Sequence, residues 1–115
     1  MAEKEFLDAL NSSIEIQLIV KARSGRRTSR PVWFVLEGET LYLLPVVGSD
    51  TKWYQDLLVN NQITLTIKGN KTSANSKPLS DPAQVSRVVE LFRSKHGEDV
   101  QKLYSKFDVA VAVPI

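Results

Sequence analysis

The residues best suited to chemistry lie in one stretch, residues 46–54, which reads Val-Val-Gly-Ser-Asp-Thr-Lys-Trp-Tyr. A strand-like run ends there in a Gly-Ser-Asp-Thr turn, and a helical segment follows at once. Gly48 permits backbone conformations that other residues avoid, and the three polar residues after it can each cap the first helical turn. Free backbone N–H groups, a lysine and two aromatic rings suit a ligand that has a phosphate and a flat ring system. The alternative is an ordinary strand-to-helix turn whose aromatic residues belong to the core.

A second candidate site is a basic turn at residues 21–30. It holds five of the 15 basic residues of the chain and no acidic residue: Lys21, Arg23, Arg26, Arg27 and Arg30. Acidic residues therefore outnumber basic ones in the rest of the chain, although the formal net charge is +2. Such local charge favours an anion site over a general nucleic-acid face, because guanidinium groups match phosphate oxygens bidentately. A solvated hairpin tip is the alternative.

Composition limits the possible classes of protein. With 115 residues, 43% of them hydrophobic and 24% charged, the chain is expected to form one globular domain, residues 1–115. The sequence has no cysteine and a single histidine, so we expect neither disulfides nor a metal site. No run is apolar and long enough to span a membrane, and the polar N-terminus does not resemble a signal peptide, so a cytoplasmic protein is expected. The sequence contains no Ser/His/Asp set, no Cys/His pair and no P-loop.

Hydrophobic periodicity predicts the elements that must position these residues. Six strands are predicted, at residues 14–23, 30–37, 40–47, 62–68, 71–79 and 108–115. Four helices are predicted, at residues 3–11, 52–58, 82–96 and 100–107. Asp81 and Pro82 begin the third helix and Gly97 ends it. Short turns between consecutive strands indicate an antiparallel sheet, which six strands would form as a small closed or split barrel with the second helix at one end.

Three segments in a fixed order carry a resemblance to a known family. They are ARSGRRTSRPVWFVLEG at 22–38, KWYQDLLVNNQITL at 52–65, and PLSDP at 78–82 followed by an apolar helix and Lys-His-Gly. They resemble the flavin- and deazaflavin-dependent oxidoreductases, most clearly the deazaflavin-dependent nitroreductase and quinone-reductase branch, and more loosely the pyridoxamine-phosphate-oxidase-like FMN-binding barrels. The resemblance covers nearly the whole chain. It implies a mainly β fold with short helices, a six-stranded antiparallel split β-barrel of the FMN-binding type.

The resemblance also implies a phosphate site in the basic turn. Arg23 and Ser24 correspond to a basic residue and a hydroxyl near the phosphate of the cofactor. Thr28 stands where many relatives have a further arginine, a departure that neighbouring arginines can compensate: Arg26, Arg27 or Arg30.

The ring of the cofactor would lie beyond the phosphate. Trp33 corresponds to a position that lines the ring pocket, although a barrel-core role fits it equally well. The third strand and the helix start would complete the site with Leu44, Pro45, Val46, Gly48, Ser49, Lys52 and Trp53. Since adjacent helix residues point apart, we expect Trp53 near the cofactor and Tyr54 in packing or at a subunit contact. His96 is expected to be a surface residue near helix-end carbonyls.

The activity implied by the resemblance is that of an oxidoreductase that uses FMN or an 8-hydroxy-5-deazaflavin coenzyme. A hydride would pass from the reduced ring to an electron-poor acceptor such as a quinone, a nitro compound or an enone, with no catalytic side chain identified. A homodimer is implied as well. Two alternatives stay open: a small basic barrel that stacks single-stranded nucleic acid on its tryptophans, and a flavin-binding protein without turnover.

Overall fold

A long hairpin begins the sheet in the computed structural model, which describes residues 4–115. It consists of β1 (Glu15–Lys21) and β2 (Arg27–Glu37). Buried and exposed residues alternate along β1, as its period of two predicts. The strand predicted at residues 14–23 begins one residue later than predicted, and Ile14, which precedes it, is 56% exposed. β2 begins earlier than predicted because Arg27 pairs with Lys21 and extends the ladder.

Within residues 4–115, seven strands rather than the six predicted form one antiparallel sheet. The remaining strands are β3 (Thr40–Leu43), β4 (Gln62–Ile67), β5 (Asn70–Asn75), β6 (Lys77–Leu79) and β7 (Ala110–Pro114). Their order in the sheet is β5-β4-β1-β2-β3-β7-β6, with every neighbouring pair antiparallel. β3 pairs only with the second half of β2, which leaves the first half free on that side.

The seventh strand arises because the segment at 71–79, predicted as one strand, forms two strands that pair with different neighbours. β5 pairs with β4 at one edge of the sheet, whereas β6 pairs with β7 at the other edge. Only Ser76 separates these two edge strands along the chain, so the sheet must curl until its edges meet. Ser76 is buried, and its backbone N–H donates to the carbonyl of Asn61 at 2.7 Å. The sheet is therefore a curled half-barrel, and the mainly β, split-barrel prediction is confirmed.

The inside of the curled sheet is filled by the first two helices. α1 (Lys4–Asn11) lies against β4 and β5, while Glu3, the predicted start of this helix, is outside the described residues. α2 (Lys52–Val59) follows a short 3-10 turn, Gly48–Asp50, and packs against β1. Both Trp53 and Tyr54 are buried in this interior cluster, although we expected only one to pack inward. The cluster buries both rings because it accepts side chains from more than one side of α2.

A second apolar cluster covers the outer face of β2, β3, β6 and β7. It is formed by α3 (Pro82–His96) and α4 (Asp99–Leu103). Asp81 caps α3 by accepting from the backbone N–H of Gln84 at 3.1 Å, and Gly97 ends the helix, as predicted. Leu103, expected in the apolar stripe of the last helix, is largely exposed because α4 ends there. Within residues 4–115, no helix combines the length and the apolar character needed to cross a membrane.

Candidate functional site

The basic turn and the second helix meet at one end of the sheet. Gly25 adopts a positive φ of 92° in this turn, and its N–H donates to the carbonyl of Ala22 at 2.8 Å. Arg23, which follows Ala22 in this turn, contacts α2. Its backbone N–H and its Nε both donate to Oδ1 of Asp56, at 3.3 and 3.1 Å. Asp56 is only 2% exposed, so this carboxylate is a buried partner beneath an exposed guanidinium. The contact fixes the direction in which Arg23 leaves the turn.

Gln55 connects the two predicted halves of the site. Its Oε1 accepts from Arg23 Nη2 at 3.5 Å, and its Nε2 donates to the carbonyl of Ser49 at 3.2 Å. The structure thus brings Arg23 of the basic turn near the turn at Gly48 and Ser49 (the Gly-Ser turn), although Arg23 and Ser49 are 26 positions apart in sequence. Neither Gln55 nor Asp56 was predicted as a site residue, because a polar residue on a short amphipathic helix normally faces solvent.

Arg30 carries a buried donor that the described residues leave unpaired. Its Nη2 donates to the hydroxyl of Thr28, but its Nη1 is buried and has no hydrogen-bond partner among residues 4–115. Burial lowers the pKa of this guanidinium, and the negative charge of Asp56 opposes part of that shift. A buried donor without a partner costs free energy, which an anionic ligand at this end of the sheet would recover.

The other basic residues do not converge on one point. Arg26 and Ser24 are exposed in the turn, and Lys52 is exposed at the start of α2. Arg27 lines a shallow polar cavity of about 180 Å³ together with Lys21 and Lys71. Because side chains alternate along a strand, Arg27 lies on the opposite face of β2 from Thr28 and Arg30. Asp56 bonds to Arg23 and its charge acts on Arg30, whereas Arg26 and Ser24 are exposed. An anion clamp in this turn stays a prediction.

The Gly-Ser turn already binds an anionic group of the chain itself, the side-chain carboxylate of Asp108. Ser49 donates to the carboxylate of Asp108 through its hydroxyl and, at 2.9 Å, through its backbone N–H. Lys106 Nζ lies 3.1 Å from Asp50 Oδ2 and 3.6 Å from Asp108 Oδ2. The Ser49 hydroxyl, its backbone N–H and the Lys106 charge hold the pKa of Asp108 below its usual range. The Ser49 donors, predicted to bind a ligand, are therefore engaged by Asp108. The sequence analysis did not predict Asp108 as a site residue.

The predicted ring-binding residues divide between the two apolar clusters. Trp53 belongs to the interior cluster, whereas Trp33, Leu44 and Val46 belong to the outer cluster beneath α3 and α4. Leu44 and Pro45 are buried, and the carbonyl of Val46 accepts from the backbone N–H of Ser105 at 2.9 Å. A ligand could touch the side chains of Leu44, Pro45 or Trp53 only after displacing what covers them.

His96 is half-buried and is not the surface residue we expected. Its ring stacks on Trp33 with the centroids 4.5 Å apart and the planes at 11°, and Tyr104 meets Trp33 edge-on at 6.1 Å. Its Nε2 lies 3.2 Å from the carbonyl of Phe34, which also accepts from Lys95 Nζ at 3.1 Å. Since a carbonyl only accepts, Nε2 carries the proton of the neutral ring. The last turn of α3 therefore binds the backbone of β2 at Phe34 instead of its own helix end.

This environment predicts a pH-dependent stability. Burial, together with the positive charge of Lys95, lowers the pKa of His96, although the Phe34 carbonyl opposes the shift. As pH falls from about 7 to about 5, the unfolded chain binds a proton near the ordinary pKa of about 6.5 while the folded chain resists it, so stability falls. We expect His96→Gln to remove this component. Urea denaturation of both proteins at several pH values measures it, and parallel pH profiles would contradict the prediction.

A family model described as "Uncharacterized protein conserved in bacteria (DUF2255)" matches residues 6–111. The chain belongs to the DUF2255 family. No curated protein matches its sequence.

Solved structures similar to this DUF2255 chain share its fold at low sequence identity. HutZ, the heme storage protein of Vibrio cholerae, has a TM-score of 0.77 at 16% identity, covering 98% of this chain and 89% of its own. An F420-H2 dependent reductase, FDR-A, has a TM-score of 0.67 at 14% identity, covering 87% and 93%. A Clostridium acetobutylicum protein of the pyridoxinephosphate oxidase family has a TM-score of 0.68 at 14% identity, covering 96% and 80%. The DUF2255 chain therefore has the split-barrel fold of the pyridoxamine-phosphate-oxidase-like proteins, as the sequence resemblance predicted.

Proposed function

We propose that this protein binds a phosphate-bearing flavin-type cofactor, FMN or an 8-hydroxy-5-deazaflavin coenzyme, where the basic turn meets α2. The observation that supports this site best is Arg30 Nη1, a buried cationic donor without a partner among the described residues. The split-barrel fold, which it shares with an F420-H2 dependent reductase, supports the cofactor class. The proposed reaction is the reduction of an electron-poor acceptor such as a quinone, a nitro compound or an enone.

The residues of the turn would divide the work of binding the phosphate. Arg30 would donate to it from the buried side, and Arg23 would donate from the solvent side. Because Asp56 already holds Arg23 Nε, the guanidinium loses less conformational freedom when the ligand binds. Ser24 and Arg26, both exposed, are close enough in sequence to close the rim. When bound, the cofactor supplies the hydride chemistry, and the chain supplies anchoring and orientation.

Two further residues limit how the ligand can lie. Ser49 is engaged by Asp108, so the phosphate is assigned to the basic turn and not to the Gly-Ser turn.

Burial raises the pKa of Tyr104 well above its ordinary value, so this phenol stays protonated throughout the neutral range. We assign the proton of the reduction to solvent, because Asp56, the carboxyl group beside the turn, is already bonded to Arg23.

The contacts that already engage His96 favour a flavin-type ligand over heme. HutZ is described as a heme storage protein, and histidine is a common axial ligand of heme iron. The single histidine of this chain, His96, is stacked on Trp33 and bonded to the Phe34 carbonyl. Heme ligation through this residue would break both contacts.

The test is a titration of purified protein with FMN and, separately, with the deazaflavin, followed by visible absorbance and fluorescence. We expect saturable binding of one of them. Arg30→Met should weaken that binding about 10-fold or more, because it removes a charge-assisted hydrogen bond and keeps much of the apolar stem. Lys102→Met, which removes an exposed charge from α4, should leave the affinity unchanged.

Arg23→Ala should also weaken binding, but it is a less clean variant than Arg30→Met. It leaves the buried Asp56 carboxylate without its donor, so the denaturation midpoint of this variant must be measured beside its affinity.

Binding of neither cofactor by well-folded protein would overturn the proposal. Steeply salt-dependent binding of an oligonucleotide would then favour the nucleic-acid alternative. Cofactor binding without acceptor reduction would indicate a flavin-binding protein, and sedimentation of the purified chain tests the homodimer.

A further inference from the structure

A second candidate site in the described part of the chain lies away from the proposed cofactor site. It is a groove of about 720 Å³ between the first half of α3 and the outer face of β3, β6 and β7. Its floor is apolar, formed by Leu79, Val88 and Ala112. None of the residues assigned to the cofactor lines it. A ligand in this groove would therefore bind independently of the basic turn.

One wall of the groove is held rigid by hydrogen bonds at the β5–β6 junction. Ser76 donates to the Asn61 carbonyl through its hydroxyl at 2.8 Å and through its backbone N–H at 2.7 Å, and Asn61 Nδ2 donates to the Ser76 carbonyl at 3.4 Å. Both residues line the groove, together with Asn75 and Lys77. These bonds continue the β4–β5 pairing by one residue and hold Ser76, the residue through which the chain passes from one edge strand to the other, so this wall is fixed before any ligand arrives.

The opposite wall carries a positioned cation. Arg87 extends from α3 and forms an ion pair with Glu37 at the end of β2. The Glu37 carboxylate and the Tyr42 hydroxyl raise the pKa of the Arg87 guanidinium. The pair with Glu37 uses Nη2, and the side chain is still 55% exposed, so donors of the guanidinium face the groove and the solvent.

The charge of the lining residues decides the class of ligand. Lys77 and Arg87 contribute two positive charges, the second of them paired with Glu37, and the residues of 4–115 that line the groove include no carboxylate. The amides and hydroxyls of its walls add neutral hydrogen-bonding groups above the apolar floor. We propose that this groove binds a small organic anion, with its carboxylate, sulfonate or phosphate group at Arg87 and a flat apolar body over Leu79, Val88 and Ala112.

The experiment uses 8-anilinonaphthalene-1-sulfonate, a flat aromatic sulfonate whose fluorescence rises in apolar surroundings. We expect saturable binding to the native chain. Arg87→Met should raise the dissociation constant about 10-fold, in line with the loss of a charge-assisted contact. The matched control is Arg93→Met, which removes an arginine that is likewise paired with a glutamate, Glu90, on the same helix. Equal weakening by both variants would overturn the proposal, as would the absence of saturable binding.

Two further measurements separate the groove from general charge effects. Gln84→Trp places a bulky ring at an exposed lining position without removing a charge, and it should abolish binding while leaving the urea denaturation midpoint unchanged. Benzoate and phenyl phosphate should displace the probe at lower concentration than acetate and inorganic phosphate, because only the former have an apolar body. Equal displacement by all four anions, or full binding to Gln84→Trp, would overturn the proposal.

Discussion

Gly48→Ala is expected to destabilise the protein by about 3 kcal/mol, although it adds a single methyl group. Gly48 has a φ of 56°, a region that costs other residues about 1–2 kcal/mol. A Cβ atom there would lie 2.0 Å from Asp108 Oδ1 and 2.9 Å from Lys106 Cγ. The carboxylate must move away, and its charge-assisted bonds to Ser49 would be lost. Chemical denaturation measures the free energy of unfolding.

Two variants separate the steric clash from the backbone cost. Gly38 also has a positive φ, 61°, but a Cβ atom there would meet nothing within 4 Å. Gly38→Ala should therefore cost only about 1 kcal/mol. In an Asp108→Ala background, Gly48→Ala should cost about as much as Gly38→Ala, because the clashing oxygen is gone. If Gly48→Ala cost the same with and without Asp108, the close approach of the carboxylate would not be the cause.

Phe92→Ala is expected to cost about 3–5 kcal/mol, the largest effect of a single substitution considered for this protein. Phe92 is fully buried in the outer cluster. Its ring meets Tyr104 edge-on at 6.0 Å and His96 at 5.5 Å. Removing the ring leaves a cavity between α3 and the sheet, and it withdraws support from the His96–Trp33 stack. The measurement is the free energy of unfolding from urea denaturation, with near-UV circular dichroism to follow the aromatic packing.

The matched control is Leu103→Ala, because it removes an apolar side chain that is largely exposed at the end of α4. It should change the stability by no more than about 0.5 kcal/mol. Since α3 also forms one wall of the groove, Phe92→Ala should weaken binding of the aromatic sulfonate there. A cost of Phe92→Ala below about 1 kcal/mol would show that α3 is not docked as described.

Local patterns were enough to predict most of the secondary structure. The alternation along β1, the Asp81-Pro82 start of α3 and the Gly97 stop each depend on neighbours within a few residues, so they can be read from sequence directly. The segment at 71–79 was misjudged because it changes partners at Ser76. Nothing local distinguishes one continuous edge strand from two short strands that belong to opposite edges of a sheet.

The candidate site was predictable only in part, for the same physical reason. The concentration of arginines at 21–30 is visible in sequence, and it marks the end of the sheet where an anion could bind. The contact of Arg23 with Asp56 joins residues 33 positions apart, and Asp108 lies 59 positions from Ser49. Such pairs form only when the sheet has curled, so residue types and spacing could not show which arginine is held and which serine is already engaged.

The sequence by itself determined the strands, the helices and the family resemblance, since these depend on periodicity, capping residues and the order of short segments. Tertiary structure alone decided which basic residues share a face, why Trp33 and Trp53 belong to different clusters, and where the groove beside α3 lies. Those outcomes depend on how far the sheet curls before the single residue Ser76 joins its two edges. That curl is set by the packing of every strand at once, so no local pattern can encode it.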